Sequence, residues 1–162
     1  MLVYFTNIMD SNSNNSRDNE YNLAIKNLFH GKVMERASAA RQIGHFKDGR
    51  ATNMLVRALN SEEDPVVINR IVEAMGEVND AKATIVIVEL LKRELEKQES
   101  EQDKSLLFLI VESLMKIGDK RALKHLGLLS RSCESDLKKF TEEAIECIDP
   151  HWKENLTENS KI

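Results

Sequence analysis

The chain has 162 residues, 31% of them charged and 41% hydrophobic, with a formal net charge of −4. That length suits one domain, and the composition excludes both a wholly disordered chain and a membrane-embedded one. With 5% aromatics, six glycines and two prolines, the chain is too poor in turn formers for a sandwich or barrel of short strands, and its acidic excess gives no support to general nucleic-acid binding.

The chain opens on Leu2-Val3-Tyr4-Phe5, which no Lys or Arg precedes and which breaks at Thr6-Asn7. This is too short for a secretory core or a membrane span, so a cytoplasmic location is expected. Residues 10 to 20 carry no apolar side chain, and residues 1–20 read as a disordered or weakly structured leader. Met9, just before that polar run, is a candidate for the true start in place of Met1. Cys133 and Cys147 read as reduced structural thiols.

From residue 33 on, the chain repeats itself. Ile43-Gly44-His45-Phe46-Lys47-Asp48-Gly49-Arg50-Ala51 aligns without gaps with Met75-Gly76-Glu77-Val78-Asn79-Asp80-Ala81-Lys82-Ala83 and with Leu114-Met115-Lys116-Ile117-Gly118-Asp119-Lys120-Arg121-Ala122. Downstream, apolar residues recur at helical spacing, as in Ala51, Met54, Leu55, Ala58 and Leu59. Each unit is therefore a helix A, a tight turn and a helix B. Asp48, Asp80 and Asp119 stand at the start of helix B, where a carboxylate accepts orphan backbone N–H groups, and Asp64-Pro65 starts the second helix A in the same way. Gly49 and Gly118 suit tight or left-handed turn geometry. Arg50, Lys82 and Arg121 follow two residues after each Asp, in a first turn whose dipole opposes a cation, which predicts a compensating contact to the Asp of a stacked neighbour. Ile145-Glu146-Cys147-Ile148 reads as a fourth, partial copy. The repeat domain is expected over 21–156, with a tail at 157–162.

The pattern apolar-Gly-x-apolar-x-Asp-x-Arg-Ala after an Ala-rich helix resembles the HEAT-like repeats of the phycocyanobilin-lyase (PBS lyase) type, over about residues 33 to 148. The resemblance implies an all-α fold, an α-solenoid of three to four helical hairpins used as a protein-binding scaffold. It does not by itself imply lyase activity. In the third copy Met115 replaces the glycine, and the fourth lacks the Asp-x-Arg-Ala end, as in a terminal capping repeat.

The third period is seven residues longer than the second, and the surplus near Leu95 to Lys104 reads as a solvated helix extension and loop. Charge alternates in blocks. Residues 26 to 57 hold seven basic and two acidic side chains, 58 to 112 six and thirteen, and 113 to 139 seven and three. Such bands suit an electrostatically matched protein partner or self-association. In helix B the non-core positions are Thr52, Asn53, Val56 and Arg57, then Thr84, Ile85, Val88 and Glu89, then Leu123, Lys124, Gly127 and Leu128. Ile85, Val88, Leu123 and Leu128 are apolar where solvent is expected on the concave face, so Asn53, Val56, Arg57, Ile85, Val88, Glu89, Leu123, Lys124 and Leu128 form the candidate partner surface. Phe108 and Leu109, on a third helix A that is apolar almost all round, need a cover.

No His-Glu pair, clustered Cys/His spacing, phosphate loop or nucleophile elbow occurs in the chain. No catalytic residue, metal or cofactor is therefore expected, and His125 reads as a core histidine. The leading expectation is a non-enzymatic adaptor with an unidentified protein partner and no membrane contact. Two alternatives remain: a nucleic-acid binder using Lys32, Arg36, Arg41, Lys47, Arg50 and Arg57, and a bilin lyase or chromophore-protein chaperone.

Overall fold

A computed structural model describes residues 2–132 and 135–152, with side chains over 16–132 and 136–152. Among the described residues there is no strand. Eight helices follow one another: α1 (Leu2–His30), α2 (Val33–Phe46), α3 (Thr52–Ser61), α4 (Pro65–Val78), α5 (Thr84–Glu96), α6 (Lys104–Ile117), α7 (Leu123–Ser132) and α8 (Ser135–Ile148). They form two layers. The A helices α2, α4, α6 and α8 stack in order, each chiefly against the next, and the B helices α3, α5 and α7 lie behind them. This is an all-α solenoid.

The A layer is close-packed because its glycines sit at the crossings. A Cβ on Gly44 would lie 2.9 Å from Ala74 Cα, and one on Gly76 would lie 2.9 Å from Ser113 Cα. Backbones approach this closely only where one partner lacks a side chain. The core between the layers is aliphatic, with Ile43, Leu55, Ile71, Met75, Ile87, Leu91, Leu107, Ile110, Leu114, Leu126 and Leu129 all fully buried.

Helices α2, α4 and α6 each end in one left-handed residue, at Lys47 (φ 50°), Asn79 (φ 56°) and Gly118 (φ 68°). Only the last of these is glycine, and Gly49, two residues beyond Lys47, instead opens a short 3-10 turn. Asp48, Asp80 and Asp119 cap those turns by accepting the backbone N–H of Arg50 at 2.9 Å, Lys82 at 3.0 Å and Arg121 at 2.9 Å. Asp64 likewise accepts from Val66 N at 2.9 Å at the start of α4.

The stretch that composition assigns to a leader is helical, since α1 runs unbroken from Leu2 to His30. From Arg17 on it is held by the first hairpin. Arg17 Nη2 donates to Phe46 O at 3.2 Å, Tyr21 meets Phe46 edge-on at 5.7 Å, and Arg50 and Arg57 lie over the Tyr21 and Phe29 rings. Tyr21 meets Arg50 in the turn before α3 and Phe29 meets Arg57 in the middle of α3, so α1 runs beside α3 in the same direction, as a B helix preceding the first full hairpin. Residues 157–162, read above as a tail, lie outside the described residues.

The long third period is ordered by a residue that the sequence pattern does not mark. Glu94 is buried; its carboxylate pairs with Lys97 and accepts Asp103 N at 3.1 Å, which closes the loop before α6. Phe108 packs on Phe140 of α8 at 5.6 Å and stays 37% exposed, while Leu109 is half-buried against the core.

Candidate functional site

The turns that join A to B run along one edge of the stack. Neither Arg50 nor Arg121 reaches the capping Asp of a stacked turn, although Arg50 also approaches Asp18 of α1 at 3.6 Å. Each pairs with the Asp of its own turn, Arg50 Nε with Asp48 Oδ2 at 2.8 Å and Arg121 Nε with Asp119 Oδ2 at 2.7 Å. The two-residue spacing folds the guanidinium back over the capping carboxylate, and this offsets the unfavourable helix dipole locally. Contacts between repeats come from other groups. Thr52 Oγ1 donates to Asp80 Oδ2 at 2.8 Å, and Arg121 Nη2 donates to Ala81 O at 2.7 Å.

These partners depress the capping carboxylates. Hydrogen bonds from the Arg121 side chain and backbone outweigh desolvation and hold Asp119 down at about 2. The same contact from Arg50 lowers Asp48, and the Lys82 N–H lowers Asp80.

The alternating charge blocks are spent largely within the molecule. Arg36 of the basic block makes a two-pronged pair with Glu62 of the acidic block, Nε to Oε2 at 2.7 Å and Nη2 to Oε1 at 2.9 Å. Lys116 of the second basic block reaches Glu77 at 2.6 Å, and Lys47 approaches the same carboxylate at 3.9 Å. The basic set of the nucleic-acid alternative is thereby divided. Arg36, Lys47 and Arg50 face carboxylates, Arg57 lies over Phe29, and Lys32 and Arg41 are exposed.

The candidate partner surface on helices B is smaller than the sequence suggests. Val88 is only 3% exposed and belongs to the core, because α7 and its leading turn pack on α5. Val56 and Leu123 are half-buried on the same core. Asn53, Arg57, Glu89 and Lys124 are exposed, and Ile85 and Leu128 are exposed by 47% and 48%. In repeat register Asn53, Ile85 and Lys124 occupy one position, and Arg57, Glu89 and Leu128 another. Glu89 accepts from Lys92 at 2.7 Å, and His125 is half-buried near both, its basicity lowered first by burial and then by Lys92 and Lys124.

Among the described residues no group of His, Cys, Asp and Glu is arranged to hold a metal ion, and no helix is long and apolar enough to cross a membrane. Cys147 is an exposed free thiol, and Cys133 lies outside the described residues.

A stack of helical hairpins with capped turns along one edge defines an α-solenoid. Residues 25–102 match the family model of HEAT repeats, and over this stretch the chain is similar to them. HEAT repeats generally serve as protein-interaction scaffolds. The chain matches no curated protein.

Proposed function

We propose that this chain is a non-enzymatic, cytoplasmic scaffold of PBS-lyase-type HEAT repeats that binds an acidic protein segment on the exposed face of its B helices. Ile85 carries the reading. It is an aliphatic side chain left 47% exposed on the middle B helix, at a position held by Asn53 in α3 and Lys124 in α7. An exposed apolar residue among polar equivalents is the composition of a contact centre with a polar rim. The surrounding charge sets the sign of the partner. Glu89 is paired with Lys92, while Arg57 holds its register position in α3 and Lys124 the Ile85 position in α7, both exposed. Such a face attracts an acidic segment.

The test is affinity capture from the native host with the full chain, Ile85→Asp, and the double variant Arg57→Glu/Lys124→Glu. Both variants are expected to keep the wild-type circular dichroism melt and to lose the partner that the wild type retains. Undiminished capture by Ile85→Asp overturns the reading.

A further inference from the structure

The two ends of the stack are each half a hairpin. Among the described residues α1 is a B helix that no A helix precedes, and α8 is an A helix that no B helix follows. The slot before α1 is open. It is a groove of about 450 Å³ between α1 and the side of α2 turned away from α4, lined by Glu20, Leu23, Gln42, His45 and Phe46. The flank of α7 at the other end is open too, since Leu128 is 48% exposed and a Cβ built on Gly127 meets nothing within 4 Å.

Repeat register matches one end to the other. Ala24 and Leu28, buried on α1, align with the buried Leu55 and Leu59 of α3, which puts Leu23 at the place of Met54, Val86 and His125. Leu128 holds the place of Arg57 and Glu89. At the inner joint between α5 and α7, Glu89 and His125 lie close enough for each to feel the other's charge. The counterpart of that couple at a joint between two copies is Leu128 of one and Leu23 of the other, 48% and 57% exposed. In the A layer the buried Leu137, Thr141, Ala144 and Ile145 of α8 align with Val67, Ile71, Ala74 and Met75 of α4. The far side of α8 exposes Lys139 and Glu146, and Glu146 stands in the place of Gly76. The open side of α2 exposes Glu35, Gln42 and His45, and Gln42 stands in the place of Ala74, which meets Gly44. The same crossing between copies sets Glu146 against Gln42 beside His45, and Lys139 against Glu35, so the charges complement one another.

We infer that the chain associates head to tail with a second copy of itself, α8 of one copy completing a hairpin with α1 of the next and Leu128 of the one seated on Leu23 of the other. Such an interface is heterologous, so each copy keeps an open end and growth continues beyond the dimer. Glu146 and Gln42 are too large for the close glycine crossing of the inner joints, which leaves the A-layer side of the contact polar and its formation reversible with concentration. The inference rests on repeat register and stands whether or not Ile85 binds a partner.

Sedimentation velocity of the full chain over a concentration series tests it. The wild type is expected to form dimers and larger species that grow with concentration. Leu23→Asp and Leu128→Asp, each keeping the wild-type circular dichroism melt, should weaken association by about 10–100-fold, the loss of one buried aliphatic contact. Mixing the two variants should restore association and stop it at a one-to-one dimer, because one intact Leu128 and one intact Leu23 remain to meet. A wild type that stays monomeric up to about 1 mM, which leaves the two ends to another occupant, overturns the inference. So does association undiminished in either single variant, and so does a mixture that stays monomeric or grows past the dimer.

Discussion

Ser113 of α6 touches α4 twice at one point. Its Cα lies 2.9 Å from where a Cβ on Gly76 would stand, and its Oγ donates a 2.9 Å hydrogen bond to Val72 O, one turn earlier on α4. A small residue faces a glycine and a hydroxyl reaches a carbonyl, so the two backbones close without burying an unsatisfied polar atom. Gly76→Ala is expected to destabilise the fold by about 1–3 kcal/mol, the range of overpacking in a tight core. Urea denaturation measures it. Ser113→Gly in the same chain should recover part of the loss, because it removes the atoms that the new methyl strikes.

Val88→Asp and Ile85→Asp should behave oppositely. Val88 is 3% exposed, and a carboxylate placed there loses its water, so a loss of several kcal/mol or outright unfolding is expected. At Ile85 the same change should stay within about 0.5 kcal/mol. Thermal melts of the two single variants separate the core residue from the surface one.

Lys47 ends α2 at φ 50° with a side chain that this conformation disfavours. Its ion pair with Glu77, at 3.9 Å and largely exposed, contributes little. Lys47→Gly should therefore stabilise the protein by about 0.5–1 kcal/mol, the reverse of the usual cost of glycine. The same change at Gly118 runs the other way, and Gly118→Ala should lower the melting temperature.

Asp48, Asp80 and Asp119 all have folded-state values below the ordinary 3.8, with Asp119 near 2. A carboxyl depressed by folding adds stability above its unfolded value, and that contribution is lost as pH falls through the folded one. Stability should hold down to about pH 4 and then decline to about pH 2. Asp119→Asn should flatten that decline while lowering stability at pH 7. Urea midpoints measured across this range test both statements.

The capped turns were legible because capping is local: Asp48, Asp80 and Asp119 need only their own next two residues, and spacing reveals them. The partners of Arg50 and Arg121 were not, because spacing shows that a cation recurs but not which way a long side chain folds. Val88 looked like surface because periodicity counts faces within one helix, whereas its burial comes from α7 on the next hairpin. The polar start of α1 misled for a related reason. Its anchors, Phe46 and Arg50, belong to a turn about thirty residues away, and no composition window spans that gap. The Asp149 turn is hidden because Pro150, His151 and Trp152 differ from the residues of the other three copies, and what Asp149 shares with them is a side-chain bond to the N–H two residues on.

Met115 stands where Gly44 and Gly76 stand in the first two A helices, and the packing of α8 on α6 is looser than that of α4 on α2. The glycine crossing that locks α2 to α4 has no counterpart on α6. Under a pulling force, the front joint between α2 and α4 should therefore outlast the joint between α6 and α8.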